Sequence, residues 1–271
     1  MTAIEAITVR VTERLGHWAT LRIDNPPLNL LDHRVYGELA AALERLESDP
    51  EIHVVVLESA DPEFFSAHFD VALTPAEAGR VAPALTKVMA ALRSPRLVSI
   101  AKMRGRARGG GNELALLCDM RFGSADSLII GQPEITVRLF PGSGAAQILP
   151  ALIGRARALE LILGGGNIDA ATAERYGVIN RAIPDAELDE YVDSLAARIA
   201  GFDSTALQYA KTAIDRRHLP DIEDFHSDIA AFRELFWSPE TIATLREALA
   251  AGLQTRGPYE FEFGDRPHGS K

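Results

Sequence analysis

The sequence has a single cysteine, Cys118, among 271 residues. One thiol excludes an internal disulfide and a metal site built from several thiolates. Cys118 stands in the apolar run LALLCDM, where a thiol packed in the core is favoured over a nucleophile. No apolar run reaches the about 20 residues of a membrane span, so no membrane association is predicted. We also predict no metal site.

Basic residues are fewer than acidic ones, with 28 Lys and Arg against 38 Asp and Glu, so the net charge is −10. This balance disfavours nucleic acid as the main partner, because phosphate binding needs a clustered basic surface. One basic cluster, formed by Arg104, Arg106 and Arg108, keeps an RNA-binding alternative open. The first residues, MTAIEAITVR, lack the basic and apolar segments of a leader, so a cytoplasmic location is expected.

The composition is that of an ordinary globular protein, with 47% hydrophobic and 24% charged residues. A chain of this length is near the upper limit for one hydrophobic core, so we expect one main domain and a small appendage.

The hydrophobic pattern predicts strands and helices in the first two thirds and helices alone from residue 185 onward. Alternating segments at 6–11 and 17–23 predict a hairpin that turns at 13–16, and Asp32 is predicted to cap the first helix. The charged end, 259–271, is predicted to be a frayed tail. The other predicted strands are 52–57, 97–103, 120–122, 128–130 and 178–183. Predicted helices are 76–92, 113–118, 142–149, 156–163, 170–176, 185–200, 204–216, 221–236 and 239–253, and 59–74 is predicted to be a loop.

A glycine-rich segment, RGRARGGGNEL at 104–114, lies between a predicted strand and a predicted helix. Its three adjacent glycines let the main chain pass close to a ligand. The helix that follows would direct free N–H groups and its positive dipole end toward an oxygen that acquires negative charge. A flexible loop is the alternative interpretation, and neither common phosphate-loop pattern occurs here.

Two further segments carry candidate acids or bases. The loop FFSAHFD at 64–70 contains His68, which is either an acid–base group or a packing residue. In the second segment, Pro133 places Glu134 in a rigid turn with apolar neighbours, which predicts a raised carboxyl pKa. A salt-bridge role for Glu134 is the alternative.

Together these segments resemble the crotonase superfamily, the enoyl-CoA hydratases and isomerases, over roughly residues 8–258. The family's Phe-(small)-Ala-Gly-Ala-Asp loop corresponds to FSAHFD at 65–70. Its glycine-rich segment corresponds to 104–114. Its Gly-x-Pro-Glu and Pro-Gly-x-Gly motifs correspond to GQPE at 131–134 and PGSG at 141–144. The order and spacing of the motifs carry the resemblance.

The resemblance implies an α/β fold: a crotonase-like ββα spiral core over 1–200 and an all-helical C-terminal section over 201–271. That section would cover the site and form a trimer or a dimer of trimers. The main-chain N–H groups of Phe69 and Gly110 would form an oxyanion hole, and Glu113 and Glu134 would be catalytic. The implied substrate-binding residues are Ala67, His68, Asp70, Gly109, Pro133 and Gly142.

The implied reaction is hydration of a 2-enoyl-CoA to a 3-hydroxyacyl-CoA through an enolate, within fatty acid metabolism. Coenzyme A is then part of the substrate, and no separate cofactor is expected. Isomerisation, retro-aldol cleavage, thioester hydrolysis, decarboxylation and noncatalytic acyl-CoA binding remain alternatives. The chain departs from the family pattern at His68 and Phe69, which add bulk beside the thioester. The spacing between Glu113 and Glu134 is also one residue longer than usual.

Overall fold

A computed structural model describes residues 9–216, 218 and 220–266. Its strands form two sheets, and helices cover them. The strands are β1 (Val9–Leu15), β2 (Trp18–Ile23), β3 (Val54–Ser59), β4 (Phe64–Ser66), β5 (Val98–Met103), β6 (Arg106–Arg108), β7 (Met120–Ser124), β8 (Ile129–Gly131), β9 (Asn167–Asp169) and β10 (Arg181–Ile183).

The helices lie between the strands at first and then follow one another to the end of the described chain. They are α1 (His33–Ser48), α2 (Pro75–Leu92), α3 (Gly110–Leu116), α4 (Ala145–Ile153), α5 (Arg155–Gly164), α6 (Ala170–Tyr176), α7 (Asp185–Ala200), α8 (Ser204–Asp215), α9 (Ile222–Phe236), α10 (Pro239–Ala250) and α11 (Pro258–Phe261). A 3-10 helix spans Pro133–Val137. The predicted α/β order with a helical C-terminal section is therefore confirmed.

The larger sheet has the order β1-β2-β3-β5-β7-β10, and its strands are parallel except for the β1–β2 hairpin. Its central strand β3 is buried on both faces. Val55 and Leu57 join the main core, whereas Val54 and Val56 pack in a second cluster with residues of α7. A strand covered on both faces is apolar throughout. This explains why the sequence of β3 from 54 to 57 is a continuous apolar run and does not alternate.

The smaller sheet has the order β4-β6-β8-β9, with β4, β6 and β8 parallel. Each of these three strands runs directly into one of the segments that the sequence singled out, at 67–70, 109–113 and 132–134. Parallel strands end at the same edge of their sheet. Neighbouring strands are about 4.8 Å apart, so the three segments emerge side by side.

Helix α1 begins as predicted. The Asp32 side chain accepts hydrogen bonds from the main-chain N–H groups of Arg34 and Val35, which satisfies two of the donors at the helix N-terminus. The helix buries one apolar face, made of Val35, Tyr36, Leu39, Ala40, Ala42, Leu43 and Leu46.

The C-terminal helices pack on the rest of the chain through a few deep contacts. Phe225 of α9 is fully buried within the main core. Lys211 of α8 donates to the main-chain O of Leu97 at 2.7 Å and pairs with Asp119 at 2.8 Å. The boundary at residue 200 stays a prediction. None of the helices in the described part of the chain is long and apolar enough to cross a membrane.

Several predicted boundaries are wrong. The hairpin turns after Leu15, later than predicted, and residues 6–8 lie outside the described part. The predicted loop 59–74 contains β4. Of the strand predicted at 178–183, only Arg181–Ile183 pairs, with β7. The last long helix ends at Ala250, before the predicted residue 253.

The prediction of a frayed tail is also wrong for the residues described up to 266. Helix α11 forms there, Glu260 has no exposed surface, and Phe263 is 6% exposed. Phe263 packs in an apolar cluster with residues of α9 and α10. Residues 267–271 lie outside the described part.

Candidate active site

One cavity of about 100 Å³ lies where the three segments meet. Its walls are mostly apolar and come from the smaller sheet's loops, from α2 and from α9. Eight of the ten predicted site residues line it: His68, Phe69, Gly109, Gly110, Glu113, Pro133, Glu134 and Gly142. The two others, Ala67 and Asp70, do not.

The main-chain N–H of Phe69 is directed by its neighbours. The carbonyl of His68 accepts from the N–H of Leu31 at 3.0 Å, and the N–H of Asp70 donates to the O of Leu31 at 3.1 Å. In a trans peptide the C=O and N–H point in opposite directions, so the Phe69 N–H points away from Leu31. No acceptor within the described ranges takes this N–H.

The main-chain N–H of Gly110 is directed in the same way by the first turn of α3. Gly109 has φ +49°, a conformation that favours glycine, and its carbonyl accepts from the N–H of Glu113 at 2.9 Å. The Gly110 N–H therefore points outward from the helix N-terminus, with no acceptor in the described part of the chain. A β-carbon on Gly110 would lie 3.3 Å from the main-chain N of Phe69, which places the two N–H donors next to each other.

Glu113 projects from α3 into the cavity and is 2% exposed. Its Oε1 accepts from the main-chain N–H groups of Ser143, at 2.7 Å, and Ala145, at 3.1 Å. Burial raises the pKa of the carboxyl to about 7, although these two hydrogen bonds oppose the rise.

Glu134 lies in the first turn of the 3-10 helix and is 9% exposed. Its Oε1 lies 2.8 Å from where a β-carbon on Gly109 would be, so the carboxyl packs against the glycine-rich turn. Burial and then the charge of Glu113 raise its pKa well above the usual range. Two carboxyls in one apolar cavity repel each other's charge. Glu113, which has two main-chain donors, is therefore the one that ionises first.

Aromatic side chains of α9 cover the cavity, and the sequence did not single them out. The Phe69 ring meets Phe232 and Phe236 edge to face, with centroids 5.6 and 5.9 Å apart. Gly142 lies beneath Phe232, since a β-carbon there would be 2.5 Å from Cβ of Phe232. These contacts belong to α9, and the role of the whole C-terminal section as a cover stays a prediction. The apolar periodicity of α9 predicted the helix. It did not predict which residues the apolar face of the helix contacts.

Two predicted substrate-binding residues have structural contacts elsewhere. Ala67 is fully buried and packs with Leu28 and Phe64. The Asp70 carboxylate accepts from the N–H of Ala72 at 2.9 Å and from Nε2 of Gln254 at 3.0 Å, which holds the loop beside the cavity. Their contact with substrate stays a prediction.

The three arginines of the basic cluster do not form a basic surface. Arg104 binds Asp185 and Asp189, and Arg106 stacks on Phe261 at 4.5 Å. Arg108 is fully buried. These contacts remove the observation that kept RNA binding open.

The fold and the cavity define a class: α/β proteins in which two adjacent main-chain donors and two buried carboxyls face one apolar cavity. The sequence model of the enoyl-CoA hydratase/isomerase family matches residues 16–262. The chain belongs to this family.

Relatives and solved structures agree with the family. A candidate enoyl-CoA hydratase of Mycobacterium bovis is 33% identical over 260 residues, which cover 94% of this chain and 97% of the relative. A short-chain-enoyl-CoA hydratase of Clostridium acetobutylicum is 30% identical over 254 residues, covering 91% of this chain and 95% of the relative. The crystal structure of a candidate enoyl-CoA hydratase from Streptomyces avermitilis is similar with a TM-score of 0.90 and 41% identity, covering 95% of both chains.

Proposed function

We propose that the protein adds water to the double bond of a 2-enoyl-CoA and forms a 3-hydroxyacyl-CoA, a reaction of fatty acid metabolism. The observation that carries the proposal is the pair of adjacent N–H donors, from Phe69 and Gly110, in one cavity with Glu113 and Glu134. Coenzyme A enters as part of the substrate, and the proposal includes no further cofactor.

The two N–H groups form the oxyanion hole. The thioester carbonyl accepts from both, and its oxygen becomes the enolate oxygen when a nucleophile adds at Cβ. Fixed donors stabilise this charge more in the transition state than in the ground state, and loss of one such donor typically costs about 3 to 4 kcal/mol. The N–H groups need not reorient, because the Leu31 and Glu113 hydrogen bonds already fix their peptide planes.

The two carboxyls divide the proton transfers. Ionised Glu113 takes a proton from water as the water oxygen bonds to Cβ, and protonated Glu134 delivers a proton to Cα as the enolate collapses. Proton exchange with solvent then restores the starting forms, and the sum of the steps is one added water. The raised pKa of Glu134 suits an acid, and the main-chain donors on Glu113 suit a base.

The test follows loss of the conjugated enoyl-thioester absorbance and gain of one water by mass spectrometry. We expect kcat to fall by at least about 100-fold in both Glu113→Gln and Glu134→Gln, as general acid–base catalysis contributes about 10² to 10⁴-fold. The control is Glu174→Gln, an exposed glutamate of α6 away from the cavity. Double-bond migration, a carbon fragment or free CoA as the product would contradict hydration, and unchanged turnover in one variant would remove that glutamate from the mechanism.

We further infer a trimer or a dimer of trimers in the cytoplasm. Large apolar side chains on and beside α8 support self-association: Tyr209 is 75% exposed, Ile214 62% and Phe202 52%. Light scattering after gel filtration measures the mass. A monomer at micromolar concentration would contradict the assembly.

A further inference from the structure

A buried ionic network joins the C-terminal turn to the loop that carries Phe69. Oε1 of Glu260 lies 2.5 Å from Nη2 of Arg108, and Oε2 lies 3.2 Å from Nε2 of His68. The Arg108 and Glu260 side chains have no exposed surface, and that of His68 is 7% exposed. The main-chain N–H of Gln254 also donates to Glu260, at 2.8 Å. The Glu260 carboxylate therefore has three nitrogen partners and no contact with solvent.

The His68 ring faces an acceptor at each nitrogen. Nδ1 lies 2.7 Å from the main-chain O of Phe69, and Nε2 faces the Glu260 carboxylate. Burial raises the pKa of Glu260, but His68 and Arg108 outweigh this and keep it below the usual value, so Glu260 is an acceptor. Each ring nitrogen thus lies within hydrogen-bond distance of an oxygen, and these two contacts fix the orientation of the ring.

We propose that Glu260 is a positioning residue for the oxyanion hole and acts through His68. The inference rests on the proposed hydratase activity. Glu260 orients the His68 ring, and Nδ1 of the ring holds the carbonyl of Phe69. The carbonyl of His68 is already held by Leu31. Leu31 also accepts from the N–H of Asp70, so the His68 ring adds a second hold on the Phe69–Asp70 peptide, at its carbonyl. Both peptide planes next to the Phe69 α-carbon are then held, and the direction of the Phe69 N–H with them.

His68 also lines the cavity wall. It replaces the family's usual glycine here, so the contact with Glu260 adds to the oxyanion hole of the family pattern.

The first test uses the full chain with Glu260→Gln. We expect kcat to fall about 10- to 100-fold while KM stays nearly unchanged, because displacement of a reacting group by about 1 Å costs about 10²-fold. The matched control is Glu262→Gln, since Glu262 lies on the same turn, is 62% exposed and pairs only with Arg266 at 3.5 Å among the described residues. It should keep the wild-type kcat.

Two substitutions of His68 test whether Glu260 acts through the His68 ring. They also replace Glu260→Gln as the test if that variant does not fold. His68→Gln carries its amide nitrogen near the position of Nε2, so it keeps the contact with Glu260 and loses the one with Phe69. His68→Asn carries its nitrogen near Nδ1 and does the reverse. We expect a higher kcat for His68→Asn than for His68→Gln. Equal values, or the opposite order, would overturn the positioning role.

A spectroscopic measurement separates positioning from turnover. An aromatic enoyl-CoA with an electron-donating ring substituent absorbs at longer wavelength when donors polarise its carbonyl. At saturation, Glu260→Gln should give a smaller shift than wild type and Glu262→Gln. An equal shift together with an equal kcat would overturn the inference alone, whereas a wild-type protein that hydrates no enoyl-CoA would overturn the proposed function.

Discussion

At the scale of single residues, the buried carboxyls of Glu113 and Glu134 serve the proposed reaction but lower the stability of the folded protein when they are ionised. Both lie in an apolar cavity, and burial raises the pKa of each. Folding therefore favours their neutral forms, while the proposed base must be ionised to take a proton from water. Such a conflict is typical of residues selected for chemistry.

We predict that Glu113→Gln is more stable than wild type at pH 8 and that the difference vanishes below about pH 4. The pKa of Glu113 in the folded protein, about 7, lies above the unperturbed 4.5. Wild type thus loses stability as the pH rises from the lower value to the higher one, whereas glutamine does not titrate. One pKa unit corresponds to about 1.4 kcal/mol, so the difference reaches about 3 kcal/mol at most. Urea denaturation across this pH range measures it.

The exposed substitution Glu174→Gln serves as the control, since its stability should follow wild type at every pH. A Glu113→Gln protein that loses stability relative to wild type as the pH rises would contradict the prediction. The wild-type kcat/KM should rise through about pH 7, as Glu113 ionises.

At the scale of elements, the sequence predicted the segments of the site better than the sheet that carries them. Gly109, with φ +49°, and Gly111, where a β-carbon would clash with the main-chain O of Ser66, restrict the residue type to glycine. Pro133 likewise fixes φ at the start of the next turn. These restrictions make both segments recognisable. Strand β4 was missed because its three residues are too few for an alternating pattern to appear. The role of Phe232 was missed because helical periodicity shows that a face is apolar and not which distant residue it covers.

We predict that Phe69→Ala widens the range of acyl chains. The substitution keeps the main-chain donor and removes the ring that meets Phe232 and Phe236. The ratio of kcat/KM for a medium-chain to that for a short-chain 2-enoyl-CoA should rise about 10-fold, the effect of one methylene in an apolar pocket. Leu163→Ala, on an exposed side chain of α5, is the control, and an unchanged ratio in Phe69→Ala would show that the ring does not limit chain length.

At the scale of the whole molecule, the C-terminal turn is an internal part of the protein. The sequence could not show this, because Glu260 stands among other charged residues and Arg108 stands in a basic cluster. Each segment alone is typical of a solvated surface. The two charges are buried because they meet each other, and that pairing depends on the complete fold.

We predict that a chain ending at residue 257 is less stable than the full chain by about 3 to 5 kcal/mol, since it loses the buried partner of Arg108 and the packing of Phe263 in its apolar cluster. A chain ending at residue 266 keeps α11 and should match the full chain. Urea denaturation midpoints compare the three proteins. Equal midpoints for the chain ending at 257 and the full chain would contradict the prediction.

The small sheet has a consequence for how this scaffold can change its chemistry. The Phe69 donor follows β4, the Gly110 donor and Glu113 follow β6, and Glu134 follows β8. Replacement of the turn after β8 would exchange the proposed proton donor and leave both amides in register. Substitutions in one loop could therefore change the reaction on the same acyl thioester. The two amides that would bind the thioester carbonyl lie in the other two loops and would be unchanged.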